Sequence, residues 1–129
     1  VTNVRILRAD ASVEFGTSIP EGAADEVWTF FPDPWPKRNH HKRRLVSPSF
    51  AHAVARTLRP GGLWRLATDW PHYANQMREV LAAEPLLASH PAANPTGFSP
   101  RWEGRVRTRY ERKAAAAGRE VLDLTAVRC

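Results

Sequence analysis

Two short apolar runs, VWTFF at 27–31 and LWRLATD at 63–69, constrain the fold of this chain more than any other feature. Both are rich in β-branched and aromatic residues, as buried strands are, and the stretch between them is long enough for a crossover helix. That helix is legible. Ser47 can cap it, Pro48 suits its first position, and Phe50, Val54 and Leu58 recur at i, i+4 and i+8 before Pro60-Gly61-Gly62 stops it. Strand, helix, strand predicts a parallel pair buried on both faces.

The rest of the chain extends this pattern. NVRILRA at 3–9 reads as a strand with Val4 and Ile6 on one side, then a short helix within 11–19 capped by Asp10 or Ser12, then a turn at PEGAAD. After LWRLATD, Asp69 or Trp70 leads into a helix with Tyr73, Met77 and Val80 or Leu81 on one face, ended by Pro85. Residues 85–104 hold four prolines and two glycines and are expected to form a long surface loop. RVRTRY at 105–110 alternates as a half-solvated strand would, with Arg105, Arg107 and Arg109 on one face. ERKAAAAG reads as a helical turn ending at Gly118, and VLDLTAV at 121–127 as the last strand. The expectation is one α/β domain over 1–129, an open and mostly parallel sheet with helices on both faces. Ligands of such sheets bind beyond the C-terminal strand ends, where Asp10, Asp33 and Asp69 are expected to fall.

Charge narrows the partners. Lys+Arg is 19 against Asp+Glu 13, a formal net charge of +6, which suits an anionic partner such as RNA. Sixteen of those nineteen cations are arginine. The lone Cys129 excludes an internal disulfide, and no apolar run is long enough to span a membrane, so the expected compartment is the cytoplasm. The chain begins at Val1 and its one methionine is Met77, so a complete translation product is not expected.

Asp33 stands between Pro32 and Pro34, which leave its backbone few options. It reads either as a site carboxylate or as a turn residue. Asp69 reads as a site residue or as an N-cap for the helix after it. Trp35 and Trp70 could stack on a base or simply pack. The run KRNHHKRR at 37–44 is a phosphate-contact surface or a solvated face. Its cations lie in a loop rather than on a recognition helix, which argues against DNA. His40 and His41 lack metal-ligand spacing, so no metal is expected. The chain has no glycine-rich dinucleotide motif, phosphate loop or serine elbow.

FFPDPWPKRNHHKRR at 30–44, ATDW at 67–70 and Thr108-Arg109-Tyr110-Glu111 stand in the order and spacing of the bacterial tRNA (guanine-N7-)-methyltransferases, which the chain closely resembles. The resemblance implies an S-adenosylmethionine-dependent class I methyltransferase with a Rossmann-like sheet. It implies methyl transfer to nitrogen 7 of a guanosine in the variable loop of tRNA. Residue by residue, it makes Asp10 a neighbour of the cofactor's adenine, and Asp33 the catalytic acid between cofactor and guanine. Asp69, Thr108 and Glu111 resemble residues that hold the guanine, and Lys37, His40, Arg43 and Arg44 match basic positions that contact substrate or brace the site. Asn39 stands where the family often has arginine.

Guanine nitrogen 7 carries an in-plane lone pair, so such an enzyme needs no strong base and must chiefly hold it in line with the methyl group. Positive charge passes to the purine, where the Asp33 carboxylate could follow it. Carboxylates at Asp69 or Glu111 suit the ring N–H and exocyclic amine of guanine, which adenine cannot reproduce. For Thr108 and Glu111 both to line the site, the chain is expected to turn after Tyr110.

Family members carry the first two strands and a glycine-rich loop before the segment equivalent to NVRILRADA. The chain is therefore expected to be the C-terminal part of that domain, with an incomplete cofactor pocket and impaired transfer by itself; either another chain supplies the front half in trans, or the chain is a truncation product. The alternative from a different class is a non-catalytic tRNA-binding α/β module.

Overall fold

The computed structural model describes residues 2–90 and 96–129. Helix α1 (Ala11–Thr17) precedes strand β1 (Ala24–Phe30), and a 3-10 turn follows at Arg38–Arg43. Helix α2 (Pro48–Thr57) runs directly into β2 (Leu58–Thr68), and α3 (Pro71–Ala83) leads to β3 (Leu87–Ser89). Helix α4 (Arg109–Ala116) and β4 (Leu122–Arg128) complete the chain. The sheet order is β1-β2-β4-β3, with β1 and β2 parallel and β4 antiparallel to both its neighbours.

Register explains which face is the core. Val27 pairs with Trp64, which pairs in turn with Ala126, and Leu66 pairs with Leu124. These side chains share one face, and α2 and α3 cover it through Phe50, Val54, Tyr73 and Met77. Trp64 is fully buried, its ring 5.8 Å from that of Phe50 and its indole N–H donating to Thr29 Oγ1 at 2.9 Å. Burial of each such large side chain contributes about 1.5–3 kcal/mol. The opposite face carries Trp28, Phe30 and Arg65, and the segment around Trp102 lies over it in place of a helix. The Trp102 ring is 4.9 Å from Trp28, and the Arg65 guanidinium lies 4.2 Å above it.

The expected cap on α2 is present: Ser47 Oγ accepts from the Phe50 backbone N–H at 3.3 Å. Ser47→Ala is expected to cost about 1 kcal/mol, read from a shifted urea midpoint with an unchanged slope. A midpoint equal to the parent's would remove the cap from the account. Asp10 caps α1, accepting from Ser12 N at 2.9 Å.

Several expectations are corrected, the first being a mostly parallel sheet: among the described residues β1–β2 is parallel and the other two pairings are antiparallel. Residues 3–9 form no strand: Ile6 is 93% exposed and Leu7 72%, because among the described residues no strand edge pairs with them. Asp10 therefore follows no strand. Residues 105–110 form no strand either, since Arg105 turns inward to buried acids while Arg109 and Tyr110 open α4. The chain turns before Tyr110 rather than after it. The expected loop at 85–104 contains β3, and Ser99 bridges to Asp123; the part at 91–95 lies outside the described residues. Pro60-Gly61-Gly62 does not stop α2, which ends at Thr57, but lies within β2. There the register with β1 shifts between Ala24 and Glu26, and Gly61 takes φ +80°. That angle is accessible to glycine at little cost.

Candidate active site at the strand ends

Because β1 and β2 run parallel, both C-terminal ends open on the same edge of the sheet. Phe31 leaves β1 with φ 52°, and Trp35 takes φ 41°. Left-handed angles at bulky residues cost on the order of 1–3 kcal/mol each and persist only where surrounding contacts impose them. Those contacts are specific. Phe31 N donates to Ala67 O at 2.8 Å, and Trp35 N donates to Asp33 Oδ1 at 3.1 Å. Arg44 Nε donates to Pro34 O at 2.6 Å. Asp33 thus projects, exposed, from a loop fixed on both sides of it.

Arg44 is the brace of that loop. It is 4% exposed, lies 4.7 Å over the Tyr73 ring, and reaches His72 Nδ1 and Gln76 Oε1 at 2.8 and 2.7 Å. Its planar fork serves three acceptors at once, which a lysine could not reproduce. Lys37 and Arg43 are exposed on the outer side, with Arg43 5.2 Å over the Trp35 ring. His40 is half-buried, edge-on to Trp35 at 5.7 Å.

Asp69 follows β2 and is buried. It does not cap α3, whose N-cap is Trp70 with no side-chain hydrogen bond. Its carboxylate accepts from the Tyr110 hydroxyl at 3.2 Å and from Arg119 Nε at 2.7 Å. Burial, then the Asp69 charge, pushes the Tyr110 phenol above its ordinary value, so it remains a donor at neutral pH. The Tyr110 ring also lies 5.1 Å from Phe31. Tyr110 therefore ties the ends of β1 and β2 together, at the sheet edge from which the Asp33 loop and Asp69 emerge.

Thr108 is the N-cap of α4, its Oγ1 accepting from Glu111 N at 3.3 Å. Glu111 is buried beside Arg105 and Arg101, and Arg105 also donates to Asp123 Oδ1 at 2.8 Å. Burial alone would raise the Glu111 carboxyl, but the Arg101 hydrogen bond and the two guanidinium charges lower it. Asp123, also buried, is raised by burial despite Arg105. Asp10 is the exposed N-cap of α1, its carboxylate accepting from Ser12.

The structure thus brings Asp33, Asp69 and the start of α4 together, and places Glu111 in a buried ion network behind them. Sequence reasoning did not single out Tyr110, Arg119 or the Arg105–Asp123 pair. Tyr110 stood inside a quoted motif; the other contacts join residues distant in the chain and carry no local signal. Among the described residues no group of three or more His, Cys, Asp or Glu could hold a metal ion, and no helix is long and apolar enough to cross a membrane.

Residues 1–124 match a family model described as "Putative methyltransferase". A tRNA (guanine-N(7)-)-methyltransferase of Cutibacterium acnes is 55% identical over 124 residues, 96% of this chain and 45% of that protein. Proteins of the same description from a Nocardioides species and from Alkalilimnicola ehrlichii are each 50% identical, covering 96% and 95% of this chain and 47% and 50% of their own. The chain spans about half the length of the curated relatives it matches. A solved structure from Thermus thermophilus, described as a "putative DNA modification methylase", superposes with a TM-score of 0.51 at 15% identity, over 92% of this chain and 50% of that one. That likeness bears on the fold alone, a class I methyltransferase sheet.

Proposed function

We propose, for a chain that belongs to the methyltransferase family matched over residues 1–124 and is closely similar to bacterial tRNA (guanine-N(7)-)-methyltransferases, that the protein carrying it methylates nitrogen 7 of a guanosine in the variable loop of tRNA. The observation that supports this reading best is the shared edge of the two strand ends. Asp33 and Asp69 stand at the ends of adjacent parallel strands, where ligands of such sheets bind, and Tyr110 joins them.

S-adenosylmethionine, when bound, supplies a methyl group on a positively charged sulfur. Asp10 and Asp33 are the residues assigned to it: both are exposed acceptors, which suits the hydroxyl and amine donors of that cofactor. Asp33 also places a carboxylate where the purine gains positive charge. The fixed loop means that charge needs no reorganisation during transfer.

Asp69 acts on the guanine by fixing the Tyr110 phenol, and Glu111 by holding the first turn of α4 with Thr108 at its cap. Lys37, His40 and Arg43 meet the tRNA backbone. Arg44, buried, acts through the Pro34 carbonyl it holds.

The test is incubation with methyl-labelled S-adenosylmethionine and an unmodified tRNA transcript, followed by nucleoside digestion. Label in 7-methylguanosine is the expected result. Tight, salt-sensitive tRNA binding with no label would leave an RNA-binding module in place of the enzyme.

A further inference from the structure

The pairing of the cations divides the surface. Among the described residues, Arg56 pairs with Glu21, Arg59 with Asp25, Arg65 with Glu26 and Arg119 with Asp69. The exposed cations with no acidic partner fall mainly in two groups: Lys37 to Arg43 beside Asp33, and Arg107 to Lys113 beside Tyr110. The two groups thus adjoin the strand ends that carry Asp33 and Asp69, and Arg5 and Arg8 near the N-terminus are the exposed, acid-free cations outside them among the described residues.

On α4 the sorting follows helical geometry. Glu111 and Ala114 are buried, while Arg109, Arg112 and Lys113, at i, i+3 and i+4, are exposed on the opposite side. Tyr110 lies at the border between these faces, its hydroxyl on Asp69. Arg107 extends the row just before the helix. The buried Glu111–Arg105–Asp123 network fixes the helix from behind, so the cations project from a rigid support.

We infer that the exposed face of α4, carried by Arg107, Arg109, Arg112 and Lys113, is a second phosphate-contact surface for the RNA substrate, in addition to the 37–43 turn. The inference rests on the tRNA reading above. Several cations in one row suit a repeating polyanion better than a single small anion, and three of the four are arginines, whose fork matches a phosphate bidentately. A row that touches only phosphates adds affinity and orientation without reading sequence.

The experiment compares the parent protein with the R109Q/R112Q/K113Q variant and with R56Q/R59Q, which removes two acid-paired cations remote from this face. Dissociation constants for an unmodified tRNA transcript are measured from about 50 to 300 mM salt, the range over which counterion release is read. Each lost phosphate contact removes about 0.7–0.9 from the slope of log affinity against log salt. The α4 variant is expected to lose about 2–3 from that slope and to bind roughly ten- to a hundredfold more weakly at low salt. R56Q/R59Q is expected to retain the parent slope. An α4 variant with the parent slope, or an equal loss from R56Q/R59Q, would overturn the assignment. Circular dichroism checks that each variant is folded; should the triple variant be unfolded, R112Q alone is expected to lower the slope by about 0.7–0.9. Methyl transfer on the same samples reads the other claim separately: a lowered α4 slope with no 7-methylguanosine from the parent would keep the RNA face and overturn the enzymatic reading.

Discussion

Asp33→Asn in the protein carrying this chain is expected to lower the rate of methyl transfer to tRNA by about 10² to 10³, with the fold intact. The substitution is nearly isosteric. An asparagine oxygen can still accept from Trp35 N, as Asp33 Oδ1 does at 3.1 Å, and Arg44 still holds Pro34 O. What is lost is negative charge at a preorganised point, and the loss of one such electrostatic group typically costs about 2.7–4 kcal/mol at the transition state. The loss should appear in kcat as well as kcat/KM, because the charge acts chiefly while the purine becomes cationic. A rate within about threefold of the parent would remove Asp33 from the chemistry and leave it a turn residue.

Arg105→Met is expected to destabilise the fold by about 3–5 kcal/mol, the second large effect. Arg105 is 3% exposed and lies between Glu111 and Asp123, which are also buried. Removing it leaves two enclosed carboxylates with one flanking guanidinium, Arg101, on the Glu111 side. An uncompensated buried charge costs far more than a surface pair is worth. The sign of the pH dependence follows. Asp123 already has its carboxyl raised by burial in the parent, and without Arg105 that shift grows. A carboxyl raised in the folded state disfavours folding as pH rises through its folded value, and the penalty vanishes below its unfolded value. The variant's deficit should therefore be largest near neutral pH and shrink toward about pH 4, the unfolded carboxylate value. Glu111 is lowered in the parent, so its contribution is present above the ordinary carboxylate range and lost as pH falls below it. Arg105→Met combined with Asp123→Asn should recover part of the loss, measured by denaturant unfolding at both pH values. A deficit under about 1 kcal/mol, or one that is the same at both, would contradict the network.

What the sequence made legible, and what it hid, follows from the range of the forces involved. The cap at Ser47, the buried stripe of α3 and the runs that became β1, β2 and β4 depend on residues close in the chain, and local patterning carries them. Alternation, however, says only that a segment could pair. NVRILRA has the pattern, and no partner edge meets it among the described residues. RVRTRY had the pattern for another reason: Arg105 seeks acids at 111 and 123, and Thr108 starts a helix. Thr108 with Glu111 three residues later is also half of a capping box, so a motif read as a site signature has a structural role as well.

The candidate site divides the same way. The proline-bracketed Asp33 and the acid at 69 were visible as strand-end residues, because strand ends follow from apolar runs. The left-handed angles at Phe31 and Trp35, the Arg44 brace and the Tyr110 tie could not be read locally. Apart from the Trp35 N to Asp33 Oδ1 bond, they depend on partners distant in the chain: Ala67 for Phe31, Gln76 for Arg44 and Asp69 for Tyr110.

The proposal that the strand-end edge carrying Asp33 and Asp69 presents guanine nitrogen 7 for methylation is tested by methyl transfer to a tRNA transcript in which 7-deazaguanosine replaces guanosine. The replacement keeps the ring N–H and the exocyclic amine and removes only the accepting atom. Binding close to that of the ordinary transcript with no transferred label is the expected result. Label on the substituted transcript at a comparable rate would place the methyl group on another atom and contradict the account.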